Sequence, residues 1–234
     1  MKKTIFLSTI ILLVTISCKK STPSTSSTNN TTSTAGYYAI LSTFRFQIYS
    51  GTLSAPFNNA NAQFYSSPVT GTNPSLEISV NSVSLNGTIM KWSGSDYSDT
   101  TFSIVCPPGT WVVNGANGIP TFTYTNNDPM PAFSGYASWP DTIYRNQNTT
   151  IPMTGVTGAG FITVNIMDGT TGISQGMPVT ASSVSFPISS LSTLTTTTNG
   201  TLMVLLDKFN VQTIGGKSMN FVGAYELTKT VVIK

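Results

Sequence analysis

Apolar and polar residues alternate with a period of two along much of the chain after residue 36, and this alternation predicts β-strands rather than helices. In residues 43–49 (TFRFQIY), the two phenylalanines and the isoleucine share one face, and the arginine and glutamine take the other. Residues 76–81 (LEISVN) alternate in the same way, and the isoleucines and valine of residues 161–167 (FITVNIM) are predicted to face a core. Residues 201–207 (TLMVLLD) are apolar on both faces, which predicts a central strand.

Turn-forming residues separate these segments. Asn-Gly at 86–87 and 199–200 and Asp-Gly at 168–169 are typical of tight turns between strands. Pro187 predicts that residues 184–188 (VSFPI) lie at a sheet edge, because proline cannot donate a ladder hydrogen bond.

Each half of the chain holds about seven short strands with turn signals roughly every 8–12 residues, the pattern of a β-sandwich. We therefore expect an all-β protein with two tandem antiparallel β-sandwich domains, at residues 37–130 and 131–234. Two prolines and several turn-forming residues in 126–135 (NNDPMPAFSG) indicate the boundary. The second half resembles the immunoglobulin-like modules of bacterial surface proteins. A single large sandwich is the alternative.

The first 36 residues have a different character. Lys2 and Lys3 precede a mostly apolar run at 5–16, so residues 1–17 are predicted to be an export signal, too short to span a bilayer comfortably. Residues 18–36 are predicted to be a cysteine followed by a flexible tether, since eleven of the seventeen residues at 19–35 are Ser or Thr.

Residues 15–18 (TISC) resemble the lipobox of bacterial lipoprotein precursors, in which small residues precede a lipid-modified cysteine. The resemblance covers residues 1 to about 20 and implies cleavage before Cys18 and acylation there, with palmitate among the chains. Lys19 in place of aspartate implies residence in the outer membrane of a Gram-negative cell, with either leaflet open. The alternative is an ordinary secretory signal with Cys18 near its cleavage site.

Composition excludes several functions. Charged residues form only 8% of the chain, against roughly 25% in an average soluble protein. Without Lys2 and Lys3, nine basic residues face eight acidic ones, and no basic stripe marks a nucleic-acid partner. The chain has no histidine, which excludes Ser-His-Asp and Cys-His catalysis and predicts a non-enzyme without cofactors. Cys106 is the one cysteine besides Cys18 and is predicted to be buried and inert.

Aromatic residues near strand ends form a candidate ligand platform. Exposed flat rings with Asn and Asp beside them suit sugars, whereas buried rings simply fill cores, and both interpretations stay open. The candidate platform residues are Trp92, Tyr97, Trp111, Tyr136, Trp139 and Tyr144.

Two further kinds of site are candidates. Asp96 and Asp99 lie close enough in sequence to act as loop ligands for calcium, with a solvated turn as the alternative. Thr100 and Thr142 lie in Asp-Thr motifs that resemble the O-glycosylation motif of some Gram-negative exported proteins.

These observations predict a lipid-anchored cell-envelope protein with a non-enzymatic binding or assembly role. Its expected partners are the membrane, through the anchor, and either envelope proteins or polysaccharide. The alternatives are a glycan-binding surface module and, more remotely, a glycosidase, which in its retaining form needs two carboxylates about 5 Å apart.

Overall fold

A computed structural model describes residues 36–70, 76–100, 104 and 109–234. The predicted signal, Cys18, the tether up to residue 35 and Cys106 lie outside the described residues. The fold is all-β, as the alternation predicts. Within the described ranges, helical structure is limited to a 3-10 turn at Gly135–Ser138 and the four-residue helix α1 (Ile188–Leu191).

No helix in this part of the chain is long and apolar enough to cross a membrane.

One nine-stranded sheet runs through both halves of the chain. Its strands are β1 (Tyr37–Tyr49), β2 (Phe57–Val69), β5 (Lys91–Trp92), β6 (Tyr97–Ser98), β10 (Thr142–Ile143), β13 (Phe161–Met167), β14 (Gly172–Met177), β16 (Thr197–Ile214) and β17 (Lys217–Ile233). They follow the order β14-β13-β16-β17-β1-β2-β6-β5, and β10 pairs with β17. Most neighbours are antiparallel, as predicted, but β1 and β10 run parallel to β17.

Three smaller sheets supply the remaining strands. A four-stranded sheet has the order β4-β3-β7-β8, and β11 pairs with β15 and β9 with β12. These strands are β3 (Ser82–Leu85), β4 (Thr88–Ile89), β7 (Gly109–Asn114), β8 (Phe122–Asn126), β9 (Ala132–Phe133), β11 (Thr149–Pro152), β12 (Val156–Thr157) and β15 (Ser183–Phe186).

Two hydrophobic cores lie on one side of the nine-stranded sheet. The N-terminal core joins β1, β2 and the four-stranded sheet, and Trp111 at its centre is 1% exposed. The C-terminal core holds Ile162, Val164 and Ile166, each fully buried as predicted. Residues 201–207 lie between β13 and β17, so the predicted central strand is also confirmed.

The long hairpin of β16 and β17 belongs to both cores. Met219 and Phe221, near its tip, are buried in the N-terminal core. Leu227 and Val231, further along β17, are buried in the C-terminal core. The last strand of the chain therefore completes a core that is otherwise built largely from residues 39–130.

The two Asn-Gly pairs have different roles. Asn86 and Gly87 have φ of 52° and 82° and form the predicted turn between β3 and β4. The turn predicted at 199–200 is wrong, because both residues lie within β16 at a register shift against β17. A Cβ atom at Gly200 would lie 2.7 Å from Ile233 Cδ1, so the glycine permits close packing.

Polar contacts fasten the segment between the two halves to the hairpin. Asp128 pairs with Lys208 Nζ at 3.1 Å and accepts a hydrogen bond from Asn210 at 3.3 Å. Further on, the buried Lys229 ammonium donates to the Trp139 carbonyl at 2.8 Å and pairs with Asp141 at 2.7 Å. The contacts of Asp128 tie this segment to β16, and the contacts of Lys229 tie the residues that follow it to β17.

Candidate binding surface

The surface of the nine-stranded sheet that faces away from both cores, here called the outer face, is the candidate functional site. Odd-numbered residues of β17, such as Phe221 and Leu227, point into the cores, so its even-numbered residues lie on the outer face. The pairing register then assigns the even-numbered residues of β1 and the odd-numbered residues of β13 and β16 to the same face.

The outer face is rich in large apolar side chains. Four of them are between 42% and 53% exposed, namely Ile48, Phe161, Phe209 and Val211. Others on this face are half-buried and belong to neither core: Ile40, Phe44, Phe46, Phe57, Met203, Leu205 and Val222.

The predicted alternation of residues 43–49 is confirmed, but its apolar side points outward. Arg45 and Gln47 take the core side, where Arg45 Nε donates to Asn58 Oδ1 at 3.2 Å. The hydroxyl of Tyr225 donates to Gln47 Oε1 at 3.2 Å. This part of β1 lies beyond the residues that it gives to the N-terminal core, so polar contacts replace apolar packing on its inner side.

Two carboxylates lie in the middle of the outer face. Glu226 of β17 is flanked by Leu205 on β16 and Phe46 on β1. Asp207 of β16 is flanked by residue 224 on β17 and residue 161 on β13. Because Asp207 lies two residues beyond the direct partner of Glu226, the two are diagonal neighbours, whose Cα atoms lie roughly 7–8 Å apart in antiparallel sheets.

Both carboxylates are poorly solvated. Glu226 is 7% exposed, and burial raises its pKa to about 7. Burial likewise raises the pKa of Asp207 to about 6. No side-chain hydrogen bond joins either carboxylate to another described residue. Asn220, on the same face of β17, is 5% exposed, and its Oδ1 lacks a partner within the described part of the chain.

A third carboxylate shows the opposite environment. Asp168 accepts hydrogen bonds from the backbone and hydroxyl groups of Thr170 and Thr195 and from the backbone of Thr171, at 2.5–2.9 Å. The Thr195 hydroxyl and these backbone donors hold its pKa well below the usual range for aspartate. Asp168 thus closes the predicted turn at 168–169 and has a structural role.

The predicted aromatic platform is not one surface. Tyr97, Trp111 and Trp139 are at most 4% exposed, so the prediction of a ligand platform is wrong for these three. Strand alternation turns Tyr97 and Trp111 into the N-terminal core, and Trp139 packs on Phe133 at 5.3 Å in the C-terminal core.

The other three aromatics are more accessible but lie in separate places. Trp92 is 37% exposed at the β5 edge, with its ring 5.0 Å from that of Tyr97. Tyr136, in the segment between β9 and β10, is half-buried, and its ring centroid lies 4.9 Å from that of Tyr49 in β1. Tyr144 is 41% exposed just after β10.

The calcium candidates use their oxygens within the protein. Asp96 accepts hydrogen bonds from the side chains of Asn61 and Ser93. Asp99 is 2% exposed and accepts from the backbone N–H of Ile104 at 3.0 Å. Across the residues that the structure describes, no group of three or more His, Cys, Asp or Glu could hold a metal ion.

The two O-glycosylation candidates differ in access. Thr100 is exposed in the loop after β6, whereas Thr142 is half-buried in β10, paired with Val232 of β17.

Sequence reasoning missed Asp207 and Glu226. A signal was present, because each acidic residue directly adjoins an apolar run in a strand, LMVLLD or FVGAYEL. Their proximity could not be predicted from the sequence, because it depends on the register of the hairpin that brings together two residues 19 positions apart.

Comparison with protein-family models, with curated protein sequences and with solved structures finds no match to this chain.

Proposed function

We propose that this protein is a lipid-anchored protein of the outer membrane with a non-enzymatic binding or assembly role, and that the outer face is its contact surface. The observation that carries the proposal is the set of large apolar side chains on this face, four of them more than 40% exposed. Contiguous apolar surface of this kind marks interaction sites in soluble domains.

A protein partner suits this surface better than a polysaccharide. Sugar platforms use exposed rings with polar groups beside them, and only Trp92 of the three tryptophans is exposed, at the opposite edge of the sheet from β14. Phenylalanine, isoleucine and valine predominate on the outer face instead, and aromatic residues are enriched in the cores of protein interfaces.

The carboxylates of the outer face also favour binding over hydrolysis. A glycosidase gives its two carboxyl groups different environments, so that one acts as an acid while the other stays ionised. Burial raises the pKa of both Asp207 and Glu226, and no hydrogen bond from a described side chain holds either one ionised.

The lipid anchor is testable by metabolic labelling. Cells that express the full precursor and take up an alkyne analogue of palmitate should label the protein at Cys18. Cys18→Ser should abolish the label, whereas Cys106→Ser, at the only other cysteine, should keep it. Equal labelling of the Cys18→Ser variant would contradict the anchor.

The contact surface is testable by site-specific crosslinking in cells. A photo-reactive phenylalanine analogue at position 209, on the outer face, should give a discrete crosslinked product. The same analogue at position 89, which is 74% exposed on β4 of the smaller sheet, is the matched control and should give none.

The partner is then identified from the crosslinked product by mass spectrometry. Phe209→Ser and Val211→Ser together should weaken its binding to the purified protein roughly tenfold or more, since two apolar anchors of the surface are lost. Equal crosslinking from positions 209 and 89, or unchanged binding of the double variant, would contradict the outer face as the contact surface.

A further inference from the structure

We propose that the protein partner of the outer face presents a basic side chain, lysine or arginine, that is flanked by apolar residues and pairs with Asp207 and Glu226. This inference rests on the proposed function and names the chemistry of the partner at the same surface.

The strand register places the two carboxylates where one cation can contact both. Asp207 and Glu226 are diagonal neighbours on adjacent strands, so a single ammonium or guanidinium group above them reaches both carboxylates. Phe161 lies directly beside Asp207, and Phe46 lies directly beside Glu226. Aromatic rings beside a carboxylate add cation–π attraction to the ion pair.

Glu226 combines low exposure with a carboxylate that has no partner among the described residues. The residue is 7% exposed, yet its carboxylate accepts no hydrogen bond from a described residue. Partial desolvation of a charge that has no partner costs free energy, and a bound cation offsets part of that cost. Asn220 Oδ1 is also buried and unpaired within the described part, but it lies six residues along β17, roughly 20 Å from Glu226, and is a separate acceptor on this face. The two carboxylates therefore suit a cationic donor from the partner.

Charge also discriminates against other occupants. A second copy of this chain docked face to face would bring one acidic pair towards another. Among the lysines and arginines of this sheet's strands, only Lys91 falls on the outer face, and β5 is four strands away from β17. An anionic lipid surface is repelled for the same reason.

The pairing should depend on pH. On β1, β13, β16 and β17 the side chains beside the two carboxylates are phenylalanine, leucine, threonine and alanine, so no other charged group of these strands faces them. Burial raises the pKa values to about 6 for Asp207 and about 7 for Glu226. Both groups are charged above about pH 7 and lose charge as the pH falls, so attraction for a cation weakens on acidification.

Matched peptides test the inference. The probes are acetyl-Leu-Val-Arg-Leu-Val-amide and its counterparts with Gln or Glu in place of Arg. Binding to residues 18–234 with Cys18→Ser is followed by NMR at millimolar peptide. At about pH 8 the Arg peptide should bind roughly tenfold tighter than the Gln peptide, the effect of one charge-assisted pair, and the Glu peptide weakest. The preference for Arg should decline below about pH 6.

Variants assign the preference to the two carboxylates. Asp207→Asn with Glu226→Gln should bind the Arg and Gln peptides equally. The control Asp141→Asn, whose side chain is 92% exposed away from the outer face, should keep the preference. Equal binding of Arg and Gln peptides by the parent protein, no detectable binding of the Arg peptide, or a preference that survives the double variant would overturn the inference.

These failures are distinguishable from failure of the proposed function. If position 209 crosslinks but the protein shows no preference for the Arg peptide, the proposed contact surface is supported and only the proposed cation is contradicted. Absence of crosslinking from position 209 removes the contact surface itself.

Discussion

Replacing Phe221 by alanine should lower the free energy of unfolding by about 3–5 kcal/mol, the usual cost of deleting a buried phenylalanine. Phe221 is 1% exposed, stacks on Tyr124 at 3.9 Å and meets the ring of Phe122 edge-on at 6.3 Å. It belongs to the last strand but fills the core of the first half. Urea denaturation of the full chain, followed by circular dichroism, measures the loss.

Phe209→Ala is the matched control for this experiment. It removes the same side chain from the same hairpin, but Phe209 is 53% exposed on the outer face. Its effect should stay within about 0.5 kcal/mol, as for most surface substitutions. A loss below about 1 kcal/mol for Phe221→Ala would contradict the role of β17 in completing the N-terminal core.

The same hairpin shows what could be predicted from the sequence. The apolar spacing of residues 161–167 and 201–207 is local information: the first segment buries its predicted face, and the second is the predicted central strand. The parallel pairing of β1 with β17 joins residues about 180 positions apart, and no local pattern contains it.

The outer face exposes a second limit of sequence reasoning. A strand with one apolar and one polar side ordinarily turns the apolar side inward. In residues 43–49 the apolar side faces outward, because this part of β1 lies beyond the N-terminal core and its inner side meets Asn58 and Tyr225. The exception coincides with the candidate site, and functional surfaces are where local rules are expected to fail.

Aromatic residues failed as site predictors for a related reason. The sequence alone does not show whether a tryptophan near a strand end is buried in a core or exposed for a ligand. The side of the strand on which it lies determines which of the two applies. Trp111 shares its side of β7 with Val113, which is fully buried, whereas Trp92 lies on a two-residue edge strand. Alternation over two residues is too short to assign a face.

Replacing Glu226 by glutamine should stabilise the protein at about pH 8, by roughly 1–3 kcal/mol. Burial raises the pKa of this carboxyl from the ordinary value of 4.5 to about 7, so folding at alkaline pH buries an unfavourable charge. Glutamine keeps the shape without the charge, although its amide still lacks partners, so the gain is smaller than the full cost of the charge. Urea denaturation at several pH values measures the difference.

The direction in which stability changes with pH distinguishes destabilisation by the Glu226 carboxylate from other causes. Between the unfolded and folded pKa values, the native state binds more protons than the unfolded state, so the stability of the parent protein should rise as the pH falls from about 7 to about 4.5. Glu226→Gln removes this contribution, and the two proteins should converge at about pH 5. Glu77→Gln, at the only other glutamate, is exposed and should change little at any pH.

Destabilisation of the Glu226→Gln variant at about pH 8 would contradict the prediction, because it would mean that the carboxylate has a stabilising partner in the free protein. The expected gain has a functional meaning. A carboxylate that lowers the stability of the free protein is stabilised when a partner supplies a cation, so stability and binding should change together. If the variant is more stable and has also lost its preference for the arginine peptide, the free-energy cost and the recognition of the cation reside in the same carboxylate.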